Sequence, residues 1–336
     1  MTKRTRYFIA VASLIVVAGL GTGLVAYFNG GLPLAAFRNG PDDLSYVPSD
    51  SSVVAYANVR DIMSSEFRQK LRQAVPTGEA RDQFLTETGI DIERDVNSVV
   101  VATSASTNAV PNGPDHAVAL VRGVFSQAQI EASATQHGGT ASEYKGKRLI
   151  TLNGENGATT MSVAFLEPSL LAVGGDAFVR RAIDAKAGGN ITANADMMKL
   201  INDLDGHNNA WAVGRVDDLQ KVAGLPDAIK AQLPAVQWFA VTGHVNGGLS
   251  ATVRAEARDD KAAENLRDVV RGAMALARLQ MGHDQSIDTV INSLQMTGTG
   301  KTVSLSFAVP SSVVDSLAGY AGKVAPHMPN TERKEK

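Results

Sequence analysis

Apolar residues fall into two regimes along this chain, one continuous block and then a long stretch of short, periodic groups. Residues 7–28 (YFIAVASLIVVAGLGTGLVAYF) carry no charge. At about 1.5 Å per residue they make a helix of about 33 Å, enough to cross a hydrocarbon core of about 30 Å. The block predicts a single-pass transmembrane helix. Lys3, Arg4 and Arg6 precede it and only Arg38 follows closely, so the positive-inside bias holds the N-terminus in the cytoplasm and the remainder outside it. A cleaved signal peptide also begins with basic residues, but its apolar core spans about 7 to 15 residues and ends at a small-x-small site. Here the best such site, near Ala35 and Ala36, has Pro33 or Leu34 where a small residue is wanted, and the pattern favours an uncleaved anchor. Gly19 and Gly23 form a small-xxx-small pair on one face of that helix, the candidate contact for a second membrane helix.

Residues 29–43 (NGGLPLAAFRNGPDD) are rich in Gly, Asn and Pro and read as a linker. From residue 44 the pattern alternates between β-rich runs and helical spacing. Residues 53–59 predict a strand, followed by an amphipathic helix with Ile62, Met63, Phe67 and Leu71 on one face, and a second helical piece over 79–88 stopped by Gly89. Residues 96–103 and 117–125 predict an antiparallel pair with a long loop. Ser126 caps a helix running to Gln136; residues 149–152, 160–166 and 170–173 continue the sheet, and Asp176 opens a helix over 177–186. The second half follows the same order: a short helix over 197–204, a strand over 210–216, helical residues 217–222 and 227–233, and strands over 236–245 and 249–257 joined by Asn246, Gly247 and Gly248. A long helix from Asp259 to Met281 shows Ala262, Leu266, Val269, Val270, Ala273 and Ala277 along one face. A hairpin at 294–309, a closing helix over 311–324 and a charged tail complete the chain.

The halves also match residue by residue. VVAYANVRDI at 53–62 aligns with AWAVGRVDDL at 210–219, sharing Val59 with Val216 and Asp61 with Asp218; SVAFLEPS at 162–169 aligns with SLSFAVPS at 304–311; Val121 and Arg122 match Val253 and Arg254. The predicted fold is therefore α+β: the N-terminal transmembrane helix, then two β-α-β-β-α-β units of ferredoxin-like kind with antiparallel sheets and helices on one face. The segments are 1–28 (basic tip and anchor), 29–43 (linker), 44–190 (first repeat), 191–326 (second repeat) and 327–336 (tail). The shared Asp61 and Asp218 are read as helix N-caps.

The basic N-terminus with its single anchor, the phrase YVPSDSSVVAYANVRDI, GIDIERDVNSVV from Gly89 to Val100, and LLAVGGDAFVRRAID from Leu170 to Asp184 resemble an uncharacterised bacterial family of exported, membrane-anchored proteins. That resemblance implies an envelope protein held in the cell inner membrane with its large domain in the periplasm. It carries over no catalytic residue.

Composition narrows the chemistry. Lys plus Arg (32) nearly balances Asp plus Glu (34) and aromatic residues make up 5%, so neither a basic field nor a set of stacking rings invites nucleic acid. There is no Cys, which removes thiol nucleophiles, disulfides and thiolate metal sites. Gly298-Thr299-Gly300-Lys301-Thr302 ends like a phosphate-binding loop, but Gln295 stands where its first Gly belongs and a β-run follows where a helix is required. Asp203-Leu204-Asp205-Gly206 lacks calcium ligands at the loop's first and twelfth positions, Ile201 and Ala212. The histidines at 116, 137, 207, 244, 283 and 327 show no metal spacing, and no GxSxG elbow is present. The acid pairs Asp42–Asp43, Asp217–Asp218 and Asp259–Asp260 sit at segment starts, where carboxylates cap helices. The sequence thus names no catalytic, cofactor or metal residue. It predicts a non-enzymatic binding or assembly module on a membrane anchor, with the bilayer and a membrane protein as partners. The alternative is a carrier or sensor of lipids or other apolar molecules, with the long Ala, Val and Met face of Asp259 to Met281 lining a groove; an enzyme of unrecognised type ranks third.

Overall fold

The computed structural model describes residues 42–66, 68, 85–86, 88–103, 117–153, 160–204, 208–216, 236–245, 247–280, 289–290 and 292–313. The expected anchor at 7–28, with Gly19 and Gly23, lies outside these residues, as do the linker up to residue 41 and the tail. Among the described residues no helix is long and apolar enough to cross a membrane, so the N-terminal transmembrane helix gains no support there.

The described chain builds one mixed α+β body on a continuous antiparallel sheet. Its strands are β1 (Val53–Ala57), β2 (Val96–Thr103), β3 (Ala117–Gly123), β4 (Thr140–Tyr144), β5 (Lys147–Asn153), β6 (Thr160–Glu167), β7 (Leu170–Gly175), β8 (Ala210–Arg215), β9 (Val236–Val245), β10 (Gly248–Ala257), β11 (Gln295–Thr297) and β12 (Thr302–Pro310). The order across the sheet is β11-β12-β10-β9-β8-β1-β2-β3-β7-β6-β5-β4. The helices are α1 (Val59–Ser64), α2 (Ile92–Asp95), α3 (Gln127–Gln136), α4 (Asp176–Ala185), α5 (Ala195–Asn202) and α6 (Asp260–Gln280), with 3-10 turns at Asp42–Tyr46 and Ile191–Ala193.

This order departs from a ferredoxin-like unit. There the first strand sits between the third and fourth strands of its own unit, which needs both of its edges. Here β1 spends one edge on β2 and the other on β8, so β3 cannot pair with it and lies between β2 and β7. The junction has its own regularity. Under the sequence match of 53–57 with 210–214, the register pairs Val53 with Gly214, Ala55 with Ala212 and Ala57 with Ala210, as a two-fold axis through the Ala55–Ala212 pair requires. Tyr56 and Trp211 lie opposite each other beside that axis, stacked at 5.8 Å.

Helices cover both faces of the sheet, not one. Strand β7 is buried at every position, so it needs apolar cover on each side. On one side Val54, Tyr56, Val100, Val118, Leu120 and Ala172 meet Phe178, Val179, Ala182 and Ile183 of α4, Leu44 and Tyr46 of the first 3-10 turn, Ile191, and Met197 and Ile201 of α5. On the other side Ala55, Val101, Ala119, Val121, Val163 and Val173 meet Ile130 and Ala134 of α3. The 3-10 turn at Asp42–Tyr46 begins inside the expected linker, and Asp43 is only 3% exposed.

Local capping explains most element ends. Ser126 accepts from the Gln129 N–H at the start of α3, and Asp259 accepts from the Ala262 N–H at 2.7 Å ahead of α6. At α1 the cap is Asn58, not Asp61. The Asp61 N–H donates to Asn58 Oδ1 and Asn58 Nδ2 donates back to Asp61 Oδ2 at 2.6 Å, a reciprocal pair in which the aspartate is the third helical residue. Asp218 falls outside the described residues. The Gly298–Thr302 stretch is the turn between β11 and β12, with Gly298 and Gly300 both at positive φ.

Candidate functional site

Stepping outward from the Ala55–Ala212 pair, the register gives each position in one half a counterpart in the other. On the face covered by α4 the rung Tyr56–Val100–Leu120–Ala172 corresponds to Val213–Ala240–Arg254–Ser304, and Val54–Ala102–Val118–Gly174 corresponds to Trp211–Thr242–Thr252–Ser306. The first half is apolar at these places and buried. In the second half the same face turns polar from β9 outward. The register also revises one sequence match: Arg122 is the counterpart of Glu256, and Arg254 is that of Leu120.

Two adjoining cavities, of about 390 and 500 Å³, lie on this polar face beside α5. Their floor is Ala240, Thr242 and His244 of β9, Ser250, Thr252, Arg254 and Glu256 of β10, and Thr302 and Ser304 of β12; Asp196, Lys199, Leu200, Asp203 and Asn208 form the wall. Alternation in β9 and β10 sets this up. The residues between these, such as Val241, Val245, Leu249 and Val253, point to the opposite face. On that face Val245 and Leu249 pack with Phe307 and Val309.

The hydrogen bonds inside the trough leave several groups open. Thr302 Oγ1 donates to Glu256 at 2.9 Å, and Ser250 Oγ donates to the His244 carbonyl at 3.2 Å. The Nδ1 atom of His244 is buried without a partner. Arg254 is half-buried, and among the described residues it has no hydrogen bond and no carboxylate within ion-pairing distance. Among the described residues the other partly or fully buried arginines, 68, 122, 180, 181 and 267, all form ion pairs.

The first half shows what a satisfied arginine looks like on this face. Arg122 donates to Asp43 through Nε (3.0 and 3.2 Å) and Nη2 (2.5 Å), to Glu167 at 3.0 Å and to Ser169 at 3.0 Å. The Tyr46 hydroxyl donates to the same Glu167 at 3.1 Å. Burial pushes Tyr46 up to about 12, helped by its bond to Glu167. Burial also works to raise Glu167, but the hydrogen bonds from Arg122 and Tyr46 outweigh it and hold that carboxyl below its ordinary value. This network pins the 3-10 turn at Asp42–Tyr46 to β3; it closes the first half and is not a candidate site.

The motifs weighed in the sequence are not brought together. His137 ends α3, with Nδ1 2.7 Å from the Ser133 carbonyl oxygen; His116, His207, His283 and His327 lie outside the described residues. Asp203 follows the last residue of α5, and the rest of its turn is not described. Among the described residues no group of three or more His, Asp or Glu is placed to hold a metal ion. Only the start of the apolar face of α6 is packed on the sheet: Ala262 and Leu266 lie with Ala257, Ala263 and Val303, and Leu266 also with Val216 and Val236, whereas Val269 is 41% exposed and the side chains of Ala273 and Ala277 lie outside the described ones. Sequence reasoning passed over Thr242, Thr252, Arg254 and Ser304 as a set. The signal was the strict polar–apolar alternation over 249–257, with Thr242 and His244 placed two apart on the strand before it.

A family model described as "Protein of unknown function (DUF3352)" matches residues 9–274, and the chain belongs to that family. No curated protein matches the sequence. Among solved structures, crystal form I of TP0453 is similar, with 10% identity, 84% of this chain and 98% of that chain covered, and a TM-score of 0.43. That likeness is too remote to bear on function.

Proposed function

We propose that this chain is a non-enzymatic binding and assembly module with two related α+β repeats, tethered to the cell inner membrane by residues 7–28 and working on the extracytoplasmic side as an accessory subunit of a membrane complex. One observation carries the reading: register-related positions of a single sheet are apolar and covered in one half, polar and open in the other. A sheet face needs no cover to be stable when its side chains are polar. A concave wall along it and an arginine left without a partner are more than solubility requires, and they fit a surface that receives another molecule. The Gly19 and Gly23 face would add a contact within the bilayer.

Native mass spectrometry of the full-length protein, expressed in its own host and extracted gently in detergent, tests this. A partner protein in fixed ratio is the expected result. It should be lost when Thr252 and Ser306 on the open face are both replaced by Arg, and kept when the exposed Glu143 on β4 is. A chain that runs alone, or one that turns over a hydrolase or transferase substrate, would overturn the reading.

A further inference from the structure

Within the open face, we infer that Thr242, Thr252, Arg254 and Ser304 form a binding site for a single phosphate-type oxyanion, with His244 at its end. The inference rests on reading this face as a binding surface and names what it holds.

The register places the four side chains in one block. Thr242 lies directly across from Thr252, and Ser304 directly across from Arg254. Opposed residues have Cβ atoms about 4.5–5.5 Å apart, and the two-residue step from Thr252 to Arg254 spans about 7 Å along the strand. A patch of that size matches one phosphate group.

The donors match as well. Among the described residues the hydroxyls of Thr242, Thr252 and Ser304 make no hydrogen bond, and Arg254 has its whole guanidinium fork free. Three hydroxyls and a bidentate fork offer five donors. A carboxylate has only two oxygens to receive them, whereas a phosphate has three or four. The half-buried setting strengthens the attraction, because a charge in a cleft is less screened than one in open water.

The acids around the trough set its selectivity. Asp203 lines the same cavity as the block; Asp196 and Glu256 flank the adjoining one, and Lys199 stands among them. Three carboxylates beside two cations repel an extended polyanion, so the site suits one compact group over a nucleic-acid backbone. Glu256 is already engaged by Thr302, which leaves Arg254 to an incoming anion.

The shared chemistry has two sources, free phosphate and a phospholipid headgroup, and one experiment separates them. Full-length protein in a neutral detergent is titrated with inorganic phosphate at constant ionic strength by calorimetry. The same protein is then incubated with vesicles of phosphatidylcholine alone or phosphatidylcholine with phosphatidic acid, and flotation is measured. Saturable binding is expected in at least one arm. Arg254→Gln should weaken it about tenfold or more, Thr252→Val and Ser304→Ala by a few-fold each, and Arg148→Gln, at an exposed position on β5 near the opposite edge of the sheet, not at all. Dependence on Arg254 with inorganic phosphate identifies the free ion; dependence only with phosphatidic acid identifies the headgroup. Thr252→Val keeps shape and β propensity, so its loss of binding is not a folding effect. No binding in either arm, or binding indifferent to both Arg254→Gln and Thr252→Val, overturns the assignment. The partner test fails separately: a partner retained by Arg254→Gln in the absence of phosphate binding removes this inference alone, while phosphate binding by a chain that purifies without a partner removes only the assembly reading.

Discussion

Replacing Arg122 with Leu strands the Asp43 carboxylate, and the penalty can be worked from the geometry. Asp43 is 3% exposed, and among the described residues all its side-chain hydrogen bonds come from Arg122. Removing one partner of a buried ion pair costs about 3–5 kcal/mol, because the remaining charge is neither hydrated nor paired. Two features narrow that range. The Arg122 side chain is 29% exposed, so the wild-type pair is not fully desolvated, and a stranded carboxylate escapes further penalty by taking up a proton, which at pH 7 costs about 4 kcal/mol. The expected loss is about 3–4 kcal/mol. Because the escape is protonation, the deficit should shrink as pH falls, by at most about 1.4 kcal/mol per unit: the folded mutant then binds more protons than the unfolded chain, so lower pH favours folding. The double change Arg122→Leu with Asp43→Leu removes both charges, and should recover most of the loss. Urea denaturation of the wild type, the single mutant and the double mutant at pH 7 and pH 5 reads all three effects. A single-mutant loss below about 1 kcal/mol, or a loss independent of pH, would refute the claim that this pair fastens the 3-10 turn to β3.

Three further outcomes follow from the same reasoning. Gly174→Ala places a Cβ 2.2 Å from the Ala117 carbonyl oxygen, a backbone atom on the paired strand β3, so it should cost about 2 kcal/mol or more; Gly272→Ala in α6 meets nothing within 4 Å and should stabilise by about 0.5–1 kcal/mol, and thermal melts of the two should shift in opposite directions. Asn58→Ala removes both halves of the reciprocal cap on α1 and should cost about 1 kcal/mol, while Asp61→Ala, which leaves the Asn58 acceptor in place, should cost less; equal losses would contradict the assignment of the cap. Below neutrality the wild-type chain should lose stability through Glu167 and Asp176. In each, burial acts to raise the carboxyl, but hydrogen bonds, from Arg122 and Tyr46 in one case and from Arg180 and Ser162 in the other, outweigh it and bring it below its ordinary value of 4.5 or 3.8. A depressed group contributes stability that is present above its unfolded value and is lost as pH falls through the folded one, so the urea midpoint should drop below about pH 4.5, and less in Arg180→Met, where Asp176 has lost its main partner.

What the sequence reveals and what it hides differ by mechanism. Strands β2, β3, β5, β6 and β7 were legible because their apolar residues must be buried, and the turns at Gly247 and at 298–301 because glycine marks positive φ. Strand β4 was not legible. TASEY has no buried residue, and it is held by backbone pairing to β5 through a tight turn with Lys145 and Gly146 both at positive φ, which is type I′ geometry carried by an uncommon dipeptide. The strand order was hidden for a related reason. Periodicity reports which face of a strand is buried and is silent on which edge is used; the choice of β8 over β3 as the second neighbour of β1 lies in the register.

The candidate site was hidden by the comparison that came nearest to it. Aligning Val121–Arg122 with Val253–Arg254 made the two arginines look equivalent, and equivalence suggests a shared structural duty. The register instead sets Arg254 where the first half has Leu120, which is fully buried beneath the elements that cover that face. A leucine there needs cover, and Asp43, Tyr46 and α4 belong to a closed layer. An arginine at the same place, with Thr242, Thr252 and Ser304 around it, cannot accept an apolar cover without stranding its charge. The two halves therefore keep one sheet and one register while requiring opposite things of the space above it, and the difference is made by four side chains on three strands.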